Sequence, residues 1–464
     1  MGAATVAFDT EIMCRYDREG PRYTSYPTAA QFRETIGASD YRREALHSRG
    51  ARAAAPLSLY VHIPFCYAPC FYCGCNKMVT SRLELADAYC TSLGREISLR
   101  GACFGGRRSV EQMHFGGGTP TFLPTRRLIE LVDRIDREFP LTSAQSRDYS
   151  IEIDPRGADP TLLRMLASLG FNRLSLGVQD FDPAVQRAVN RVQAAELVER
   201  TYHAAREIGF RSINFDLIYG LPLQTPSSFA ATLERVAALR PDRIAVYGYA
   251  HMPHLFKAQR RIRREQLPDA AARLRLLEIA VASLSAAGYL YIGMDHFALP
   301  SDSLAQALEA RTLQRSFQGY TTHADLDLVN LGVSAIGKVG ELYVQNHKLL
   351  ADYERTVAGG ALPTQRGVRM SRDDLVRKDV IHAIMCHGSV DTAAIERASG
   401  IRFDAYFAPE LERLKTLQAD GLVALEDGRI DLTPVGRLLM RNVAMTFDAY
   451  AARGAEPLRA SRLI

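Results

Sequence analysis

The chain has 464 residues and a formal net charge of +5, and 47% of its residues are hydrophobic while 23% are charged. This composition is typical of a globular protein and excludes disordered and collagen-like chains. The length predicts one large α/β domain of about 200–300 residues with one or two smaller units. Because the 57 basic and 52 acidic side chains are interspersed, the charge alone does not indicate a nucleic-acid partner.

No apolar run approaches the about 20 residues of a membrane-spanning helix. The first residues, MGAATVAFDTEIMCRYDREG, lack the apolar core of a signal peptide. We therefore expect a cytoplasmic protein without a membrane span. The sequence contains no obvious association segment, so we also expect a monomer.

Residues 1–55 form a predicted N-terminal arm with turn-rich sequence such as GPRYTSYPTA and short helical patterns. From Ser58 the pattern changes, because SLYVHIPF reads as a buried strand that leads into a cluster of cysteines. Helical segments such as PTRRLIELVDRIDREF then alternate with further strand patterns, which are EQMHFGGG, DYSIEIDP, NRLSLGVQ, INFDLIYGLP, DRIAVYGYA and LYIGMDHFA. This alternation predicts parallel βα units, and about seven of them make a partial or full (β/α) barrel over residues 56–365.

Polar side chains gather at the ends of these predicted strands. In a parallel barrel the carboxyl ends of the strands form one face, which is where active sites lie. Besides the cysteines, the residues expected on that face are Glu152, Gln179, Asp216, Tyr249 and Asp295.

Residues 366–464 form a predicted C-terminal domain that is mainly helical. The helical patterns RDDLVRKDVIHAIMCHG and FAPELERLKTLQADG are followed by LVALEDGRIDLT, a hairpin pattern around Asp427 and Gly428. Helices followed by a small hairpin resemble a winged-helix unit. Because no cluster of Lys and Arg marks a recognition helix, a packing or lid role is favoured over DNA binding.

The cysteine cluster CYAPCFYCGC predicts an inorganic centre. Cys66, Cys70 and Cys73 have the spacing C-x3-C-x2-C, and thiolates bind zinc or iron–sulfur clusters. A structural zinc site usually takes two separated ligand pairs, and no second pair is present. Cys75 is too close to Cys73 to complete the same tetrahedron. Three thiolates on one loop favour a 4Fe–4S cluster with one iron open to a small molecule, although zinc or purely structural cysteines stay open.

This cysteine spacing after a first barrel strand resembles the radical S-adenosylmethionine superfamily, and HFGGGTP after the next strand is similar to its glycine motif. That resemblance implies that S-adenosylmethionine chelates the open iron and is cleaved to a 5′-deoxyadenosyl radical. A narrower resemblance, to the oxygen-independent coproporphyrinogen III oxidase family, extends from about residue 16 to the C-terminal SRLI. Its motifs are GPRYTSYPTA, YVHIPFC, CGCNK, HFGGGTPTF, SIEIDPR, RLSLGVQDF, VNR, DLIYGLP, YAHMP, GMDHFA, FQGYTT and GVSAIG.

The resemblance implies a role for individual residues. Cys66, Cys70 and Cys73 would bind the cluster, and Cys75 and Tyr60 are assigned to catalysis. Residues implied to contact S-adenosylmethionine, of which the family can hold a second molecule, are Tyr60, Tyr72, Gly117, Gly118, Thr119, Glu152, Gln179, Arg191, Asp216, Ala250 and Ile336. For the anionic substrate we expect contacts from Arg22, Arg173 and His296.

The implied reaction is the oxidative decarboxylation of two propionates of coproporphyrinogen III to vinyl groups, which gives protoporphyrinogen IX in haem biosynthesis. It requires an electron donor such as flavodoxin or ferredoxin. One departure is Phe115, where relatives carry Trp, and the chain has no Trp. Three alternatives stay open: a haem-handling relative that keeps the cluster, a radical enzyme acting on another tetrapyrrole, and a zinc-dependent regulator that uses the C-terminal domain.

Overall fold

A computed structural model describes residues 6–105 and 108–452 of the chain. Residues 1–5 of the predicted arm and 453–464 of the predicted C-terminal domain, including SRLI, lie outside the described residues. The strands are β1 Leu57–Ile63, β2 Phe65–Cys66, β3 Met78–Val79, β4 Val110–Gly117, β5 Asp148–Ile153, β6 Arg173–Gln179, β7 Ser212–Tyr219, β8 Arg243–Gly248, β9 Leu290–Gly293, β10 His296–Ala298, β11 Gln314–Ser316, β12 Gly319–Thr321, β13 Asp327–Leu331, β14 Ile336–Val339, β15 Leu342–Asn346, β16 Thr364–Arg369, β17 Ser389–Asp391, β18 Val423–Glu426 and β19 Arg429–Leu432.

Several helices begin at a residue that caps the first backbone amides. Asp159 accepts a hydrogen bond from the amide of Leu162, and Asp269 accepts one from the amide of Ala272, so each side chain satisfies a donor that has no partner inside the helix. The helices are α1 Thr10–Tyr16, α2 Ala38–Ala51, α3 Leu83–Phe104, α4 Thr125–Glu138, α5 Pro160–Ser168, α6 Pro183–Ala188, α7 Ala195–Ile208, α8 Pro226–Leu239, α9 Ala270–Ala286, α10 Ser303–Glu309, α11 Leu350–Ala358, α12 Arg372–His387, α13 Thr392–Ser399, α14 Phe403–Tyr406, α15 Ala408–Ala419, α16 Pro434–Leu438, α17 Met440–Ala444 and α18 Ala449–Ala452.

The main sheet contains 12 strands in the order β16-β15-β14-β13-β1-β4-β5-β6-β7-β8-β10-β9. The strands from β13 to β8 in this order are parallel to their neighbours, and antiparallel strands extend the sheet at both ends. Within the described residues the end strands β16 and β9 do not pair with each other, so the sheet is an open, partial barrel. The predicted α/β barrel is confirmed in its partial form.

One predicted strand, LYIGMDHFA, is wrong as a single element. It is broken into β9 and β10 by a turn in which Gly293, Met294 and Asp295 have φ of 138°, 45° and 70°. Positive φ reverses the chain, and β10 consequently runs antiparallel to both β8 and β9. The strands β13 to β16 follow residue 298 and were not predicted.

The C-terminal unit has the predicted winged-helix-like arrangement. Helices α12, α13 and α15 accompany a small sheet in the order β17-β19-β18. Glu426 pairs with Arg429 across a two-residue turn in which Gly428 has φ of 75°, which confirms the hairpin around Asp427 and Gly428. The predicted domain boundary between residues 365 and 366 falls inside β16, a strand of the main sheet.

A buried ionic network fixes α3 against β13 and β15. The carboxylate of Glu96 accepts hydrogen bonds from Arg100 at 2.8 Å, Asn346 at 2.8 Å, Tyr353 at 2.7 Å and the amide of Gly332 at 2.7 Å. Both charged side chains are fully buried, so each depends on the other for compensation of its charge.

Among residues 6–105 and 108–452, no helix combines the length and apolar character needed to span a membrane.

Candidate cofactor and active site

The cysteine loop borders a cavity of about 510 Å³, here called the first cavity, at the carboxyl ends of the parallel strands. Cys66 ends β2, and Cys70 and Cys73 lie in the following loop. All three line the first cavity, opposite side chains from β5, β6 and β7. The three predicted cluster ligands are therefore brought to one face of the site.

The glycine motif packs directly against this loop. The amide of Gly118 donates to the carbonyl of Ile63 and the amide of Thr119 to the carbonyl of Phe65, both at 2.8 Å. A Cβ atom on Gly118 would lie 2.7 Å from that Phe65 oxygen and 3.0 Å from Sγ of Cys66. The approach of the two segments thus requires glycine at this position.

The charges around the thiols are compatible with thiolate ligands. A hydrogen bond from the thiol of Cys75 and the charge of Lys77 lower the pKa of Cys73 to about 5, although burial opposes them. Nη1 of Arg191 lies 3.5 Å from Sγ of Cys70. Burial raises the pKa of Cys66 to about 11, so its deprotonation depends on coordination.

The donor set fits a 4Fe–4S cluster. Three thiols border a cavity with room beside them, and the cations Arg191 and Lys77 offset the negative charge that thiolate ligation creates. Within the part of the chain that the structure describes, no three His, Cys, Asp or Glu side chains converge on a position for a single metal ion.

Glu152, at the end of β5, is held by two donors. Its Oε2 accepts from the amide of Gly117 at 3.1 Å, and its Oε1 lies 3.3 Å from Nε2 of His114. Burial acts to raise the pKa of Glu152, but His114 and the Gly117 amide outweigh it and keep that pKa below its usual value. The carboxylate is therefore ionised, and 42% of the side chain is open to the cavity.

Asp216 on β7 has the opposite electrostatic character. Burial, with a contribution from the charge of Glu152, raises its pKa to about 6. Ser175 donates to its Oδ2 at 2.7 Å and Asn214 to its Oδ1 at 2.9 Å. Both carboxylates line the first cavity, so it presents two acceptors that differ in proton affinity.

Arg191 is anchored by protein groups on the wall of the first cavity. It donates to Oδ2 of Asp154 at 3.2 Å and to the carbonyl of Gly177 at 2.7 Å, while its Nε is buried and has no hydrogen-bond partner among the described residues. Burial alone would lower its pKa, but Tyr72 and Asp154 outweigh that effect and raise it. Gln179, with φ of 68°, lines the same wall.

A second cavity, of about 320 Å³, adjoins the first. Its lining includes Tyr60, His114 and Ile336. The Tyr60 hydroxyl lies 3.1 Å from Nδ1 of His62, and the Tyr60 ring stacks on His114 with a centroid distance of 5.9 Å. Residues that line both cavities are Cys75, Gly117 and Glu152.

Ala250 and Tyr72 are linked through a residue that sequence reasoning did not single out. The side-chain amide of Gln259 donates to the carbonyl of Tyr72 at 2.9 Å and to that of Ala250 at 3.1 Å. Tyr72 lines the first cavity, whereas Ala250 is not among the lining residues of the first or second cavity. The bridge nevertheless fixes the backbone of Ala250 beside the cysteine loop.

The three predicted substrate residues are dispersed. Arg173 lies at the amino end of β6, away from the cavity face, and its Nε is 2.5 Å from Oδ1 of Asp148. Arg22 is exposed. His296 begins β10 with Nδ1 2.6 Å from the carbonyl of Met294, and burial lowers its pKa to about 4. In the part of the chain that the structure describes, none of the three lines the first or second cavity.

Sequence reasoning missed several residues of the two cavities. Asp154 stands two residues after Glu152, so alternation along a strand could have indicated it. His114 belongs to the quoted motif HFGGGTP. His62 lies two residues after Tyr60 in the same way. Phe317 and Gln318 belong to FQGYTT, and no local pattern shows that this segment folds over the second cavity.

The fold and the cysteine site define the class of the protein. Residues 60–236 match the model of the Radical SAM superfamily, and residues 370–439 match the model of the HemN C-terminal domain. A partial parallel barrel with three cysteines and a glycine turn at its carboxyl face is thus the fold of a radical S-adenosylmethionine protein.

Comparison over the whole chain narrows that class. The chain is 50% identical over 449 residues to the oxygen-independent coproporphyrinogen III oxidase of Pseudomonas aeruginosa, covering 96% of each chain. It is 45% identical over 464 residues to that of Escherichia coli strain K12, covering 100% of each. The solved structure of coproporphyrinogen III oxidase (HemN) from Escherichia coli, a radical SAM enzyme, superimposes with a TM-score of 0.91, covering 96% of this chain and 100% of the other. The chain belongs to the oxygen-independent coproporphyrinogen III oxidase family.

Proposed function

We propose that this protein catalyses the oxygen-independent oxidative decarboxylation of two propionates of coproporphyrinogen III to vinyl groups, giving protoporphyrinogen IX for haem biosynthesis. The observation that carries the proposal is the convergence of Cys66, Cys70 and Cys73 with the glycine turn on one cavity, in a chain that matches its relatives over its whole length. When bound, the cluster and S-adenosylmethionine supply a carbon-centred radical that removes a hydrogen atom from the propionate β-carbon.

Two adjoining cavities support two molecules of S-adenosylmethionine. The second cavity contains Tyr60 and Ile336 beside Gly117 and Glu152, which suits the nucleoside of a molecule whose amino acid end meets the cluster. The far wall of the first cavity carries Gln179, Arg191 and Asp216. We assign this wall to the second molecule.

The residues of the chain bind and orient rather than supply the reactive electron. The ionised Glu152 can accept hydrogen bonds from a ribose or an ammonium group, because it is open to the cavity. The stacked Tyr60 and His114 fix one wall of the second cavity. Such positioning brings the reacting carbon and the radical together, and an enclosed site protects both from water.

The position of Cys75 in the structure limits the roles that this residue can have. It faces both cavities and its backbone amide lies 3.5 Å from Sγ of Cys73. A hydrogen bond to the Cys73 thiolate, together with the charge of that thiolate, raises the pKa of Cys75, so its thiol keeps the proton at neutral pH. We propose that Cys75 and Tyr60 act at the wall between the cavities, and that an electron donor such as flavodoxin or ferredoxin serves a cytoplasmic monomer.

An anaerobic assay with dithionite, S-adenosylmethionine and coproporphyrinogen III tests the proposal. Mass spectrometry should show a product that has lost two molecules of carbon dioxide and four hydrogen atoms. Binding of haem without vinyl formation would instead identify a haem-handling protein, and a mass change on another tetrapyrrole alone would identify a different radical enzyme.

A further inference from the structure

A third cavity, of about 280 Å³, lies between the barrel and helix α12. It is lined by residues from the starts of β1 and β4, from β14, from the segment around β11, and from α12. We propose that this cavity binds a carboxylate of the substrate, with Arg315 and Lys378 as its cationic partners. The proposal rests on the proposed function, because it takes the substrate to be a tetrapyrrole with several propionates.

Arg315 is a cation without an acidic partner. Its Nη1 is buried and makes no hydrogen bond, and among the described residues no carboxylate forms an ion pair with it. Its Nε donates to the carbonyl of Tyr23 at 3.2 Å, and its guanidinium lies 4.7 Å above the centre of the Tyr320 ring. Arginine stays protonated in proteins, and a partly buried charge without an ion-pair partner is costly. The cavity therefore favours an anionic group beside Arg315.

Lys378 adds a second cation to the same cavity. Within the described parts of the chain it has no hydrogen bond or ion pair. The remaining charged residues of the lining are one cation and two carboxylates, since Lys338 pairs with Asp325 and Asp379 is the second carboxylate. Three cations thus face two carboxylates, and His382 is neutral because burial lowers its pKa to about 4.

The cavity continues the barrel interior away from the cysteine loop. Ser58 and Gln112 line it, and each lies two residues before a residue of the second cavity, Tyr60 on β1 and His114 on β4. Side chains two residues apart on a strand share a face. Phe317 lines both cavities and forms a wall between them. A macrocycle with its reacting side chain near the second cavity can therefore extend another propionate past Phe317.

The size and chemistry of the cavity favour a side chain over a whole ligand. A volume of about 280 Å³ lies below the range of about 300–1,000 Å³ of pockets that enclose drug-sized ligands. A guanidinium and an ammonium together recognise a carboxylate by charge-assisted hydrogen bonds. A free small carboxylate shares this chemistry, so the test must separate the two sources.

The test measures binding of coproporphyrin III, the stable oxidised form of the substrate, to the full-length protein by fluorescence titration. Arg315→Gln and Lys378→Gln should each weaken binding by about tenfold to a hundredfold, the usual loss for a hydrogen bond to a charged group. The tetramethyl ester of the same porphyrin, which has no carboxylates, should bind all three proteins equally. Lys415→Gln, an exposed lysine paired with Glu412 on its own helix, is the matched control and should bind as wild type does.

Lys378→Gln keeps the test decisive if Arg315→Gln does not fold, because among the described residues Lys378 makes no hydrogen bond or ion pair that the change would break. Unchanged coproporphyrin III affinity in Lys378→Gln would overturn the proposal. An equal loss of affinity for the tetramethyl ester would also overturn the proposal. The same holds for citrate binding that depends on Lys378 but does not compete with the porphyrin. Wild-type protein that forms no vinyl product would contradict the proposed function, whereas active wild type with unchanged KM in both variants would contradict this inference alone.

Discussion

The backbone amide of Gly117 donates a hydrogen bond to Oε2 of Glu152 at 3.1 Å, and this contact joins the glycine turn after β4 to the end of β5. Gly117 has φ of 116°, and a Cβ atom there would lie 2.6 to 2.9 Å from the His62 ring. Both the backbone conformation and the space therefore exclude a side chain.

Gly117→Ala is expected to abolish turnover while leaving iron content near that of wild type, because the added Cβ meets the His62 ring rather than a cysteine and displaces the turn that holds Glu152. Anaerobic activity and iron analysis measure the two effects. Gly50→Ala, in α2, is the matched control, because no described residue lies within 4 Å of its added Cβ. Normal activity of Gly117→Ala would show that the turn does not position the cofactor.

The assignment of three cysteine ligands predicts that the cluster does not depend on the neighbouring Cys75. Cys66→Ser, Cys70→Ser and Cys73→Ser should each lose most of the cluster, measured as iron and sulfide per chain, because each removes one of three thiolates. Cys75→Ser should keep the cluster, as should the exposed Cys14→Ser. Iron loss in Cys75→Ser comparable to that of the others would contradict the assignment of three ligands. Unchanged activity in that variant would remove Cys75 from an essential catalytic role.

The raised pKa of Asp216 predicts that the stability of the protein without cofactors depends on pH. Its folded pKa of about 6 is above the ordinary value of 3.8, so the folded state holds the proton more tightly and the ionised form destabilises it. Relative to Asp216→Asn, wild type should lose stability as pH rises from about 4 to about 6, by about 1–2 kcal/mol because the side chain is partly open to the cavity.

Thermal unfolding at pH values across that window measures this difference. The exposed Asp404→Asn is the control and should show no such trend. A difference between wild type and Asp216→Asn that stays constant with pH would mean that burial does not perturb this carboxyl.

The buried network around Glu96 predicts a large structural effect. Glu96→Ala leaves the fully buried Arg100 without a counter-charge and removes four hydrogen bonds, so unfolding should become easier by about 3–5 kcal/mol. Urea unfolding measures the change, and Glu84→Ala on the exposed start of the same helix is the control. A loss below about 1 kcal/mol would show that the network does not support β13 and β15.

Much of this arrangement follows from local sequence patterns. The cysteine spacing, the glycine motif and six of the barrel strands are continuous segments whose periodicity or spacing is visible, and the structure places them as predicted. One glycine and two further residues with positive φ were harder to interpret. The turn at Gly293, Met294 and Asp295 splits a strand that reads as continuous, because methionine rarely adopts positive φ.

Contacts between distant segments could not be read from the sequence. Arg173 was expected near the substrate but lies in an ion pair with Asp148 at the amino end of its strand. Arg315 and Lys378 are 63 positions apart and line one cavity because α12 packs beside β11. With 57 basic residues in the chain, composition gives no means of selecting these two.

The most direct test of the central claim is the mass of the product formed anaerobically from coproporphyrinogen III with reduced, cluster-loaded enzyme and S-adenosylmethionine. We predict protoporphyrinogen IX, with two propionates converted to vinyl groups and 5′-deoxyadenosine formed alongside. Full cluster occupancy with unchanged coproporphyrinogen III would contradict it.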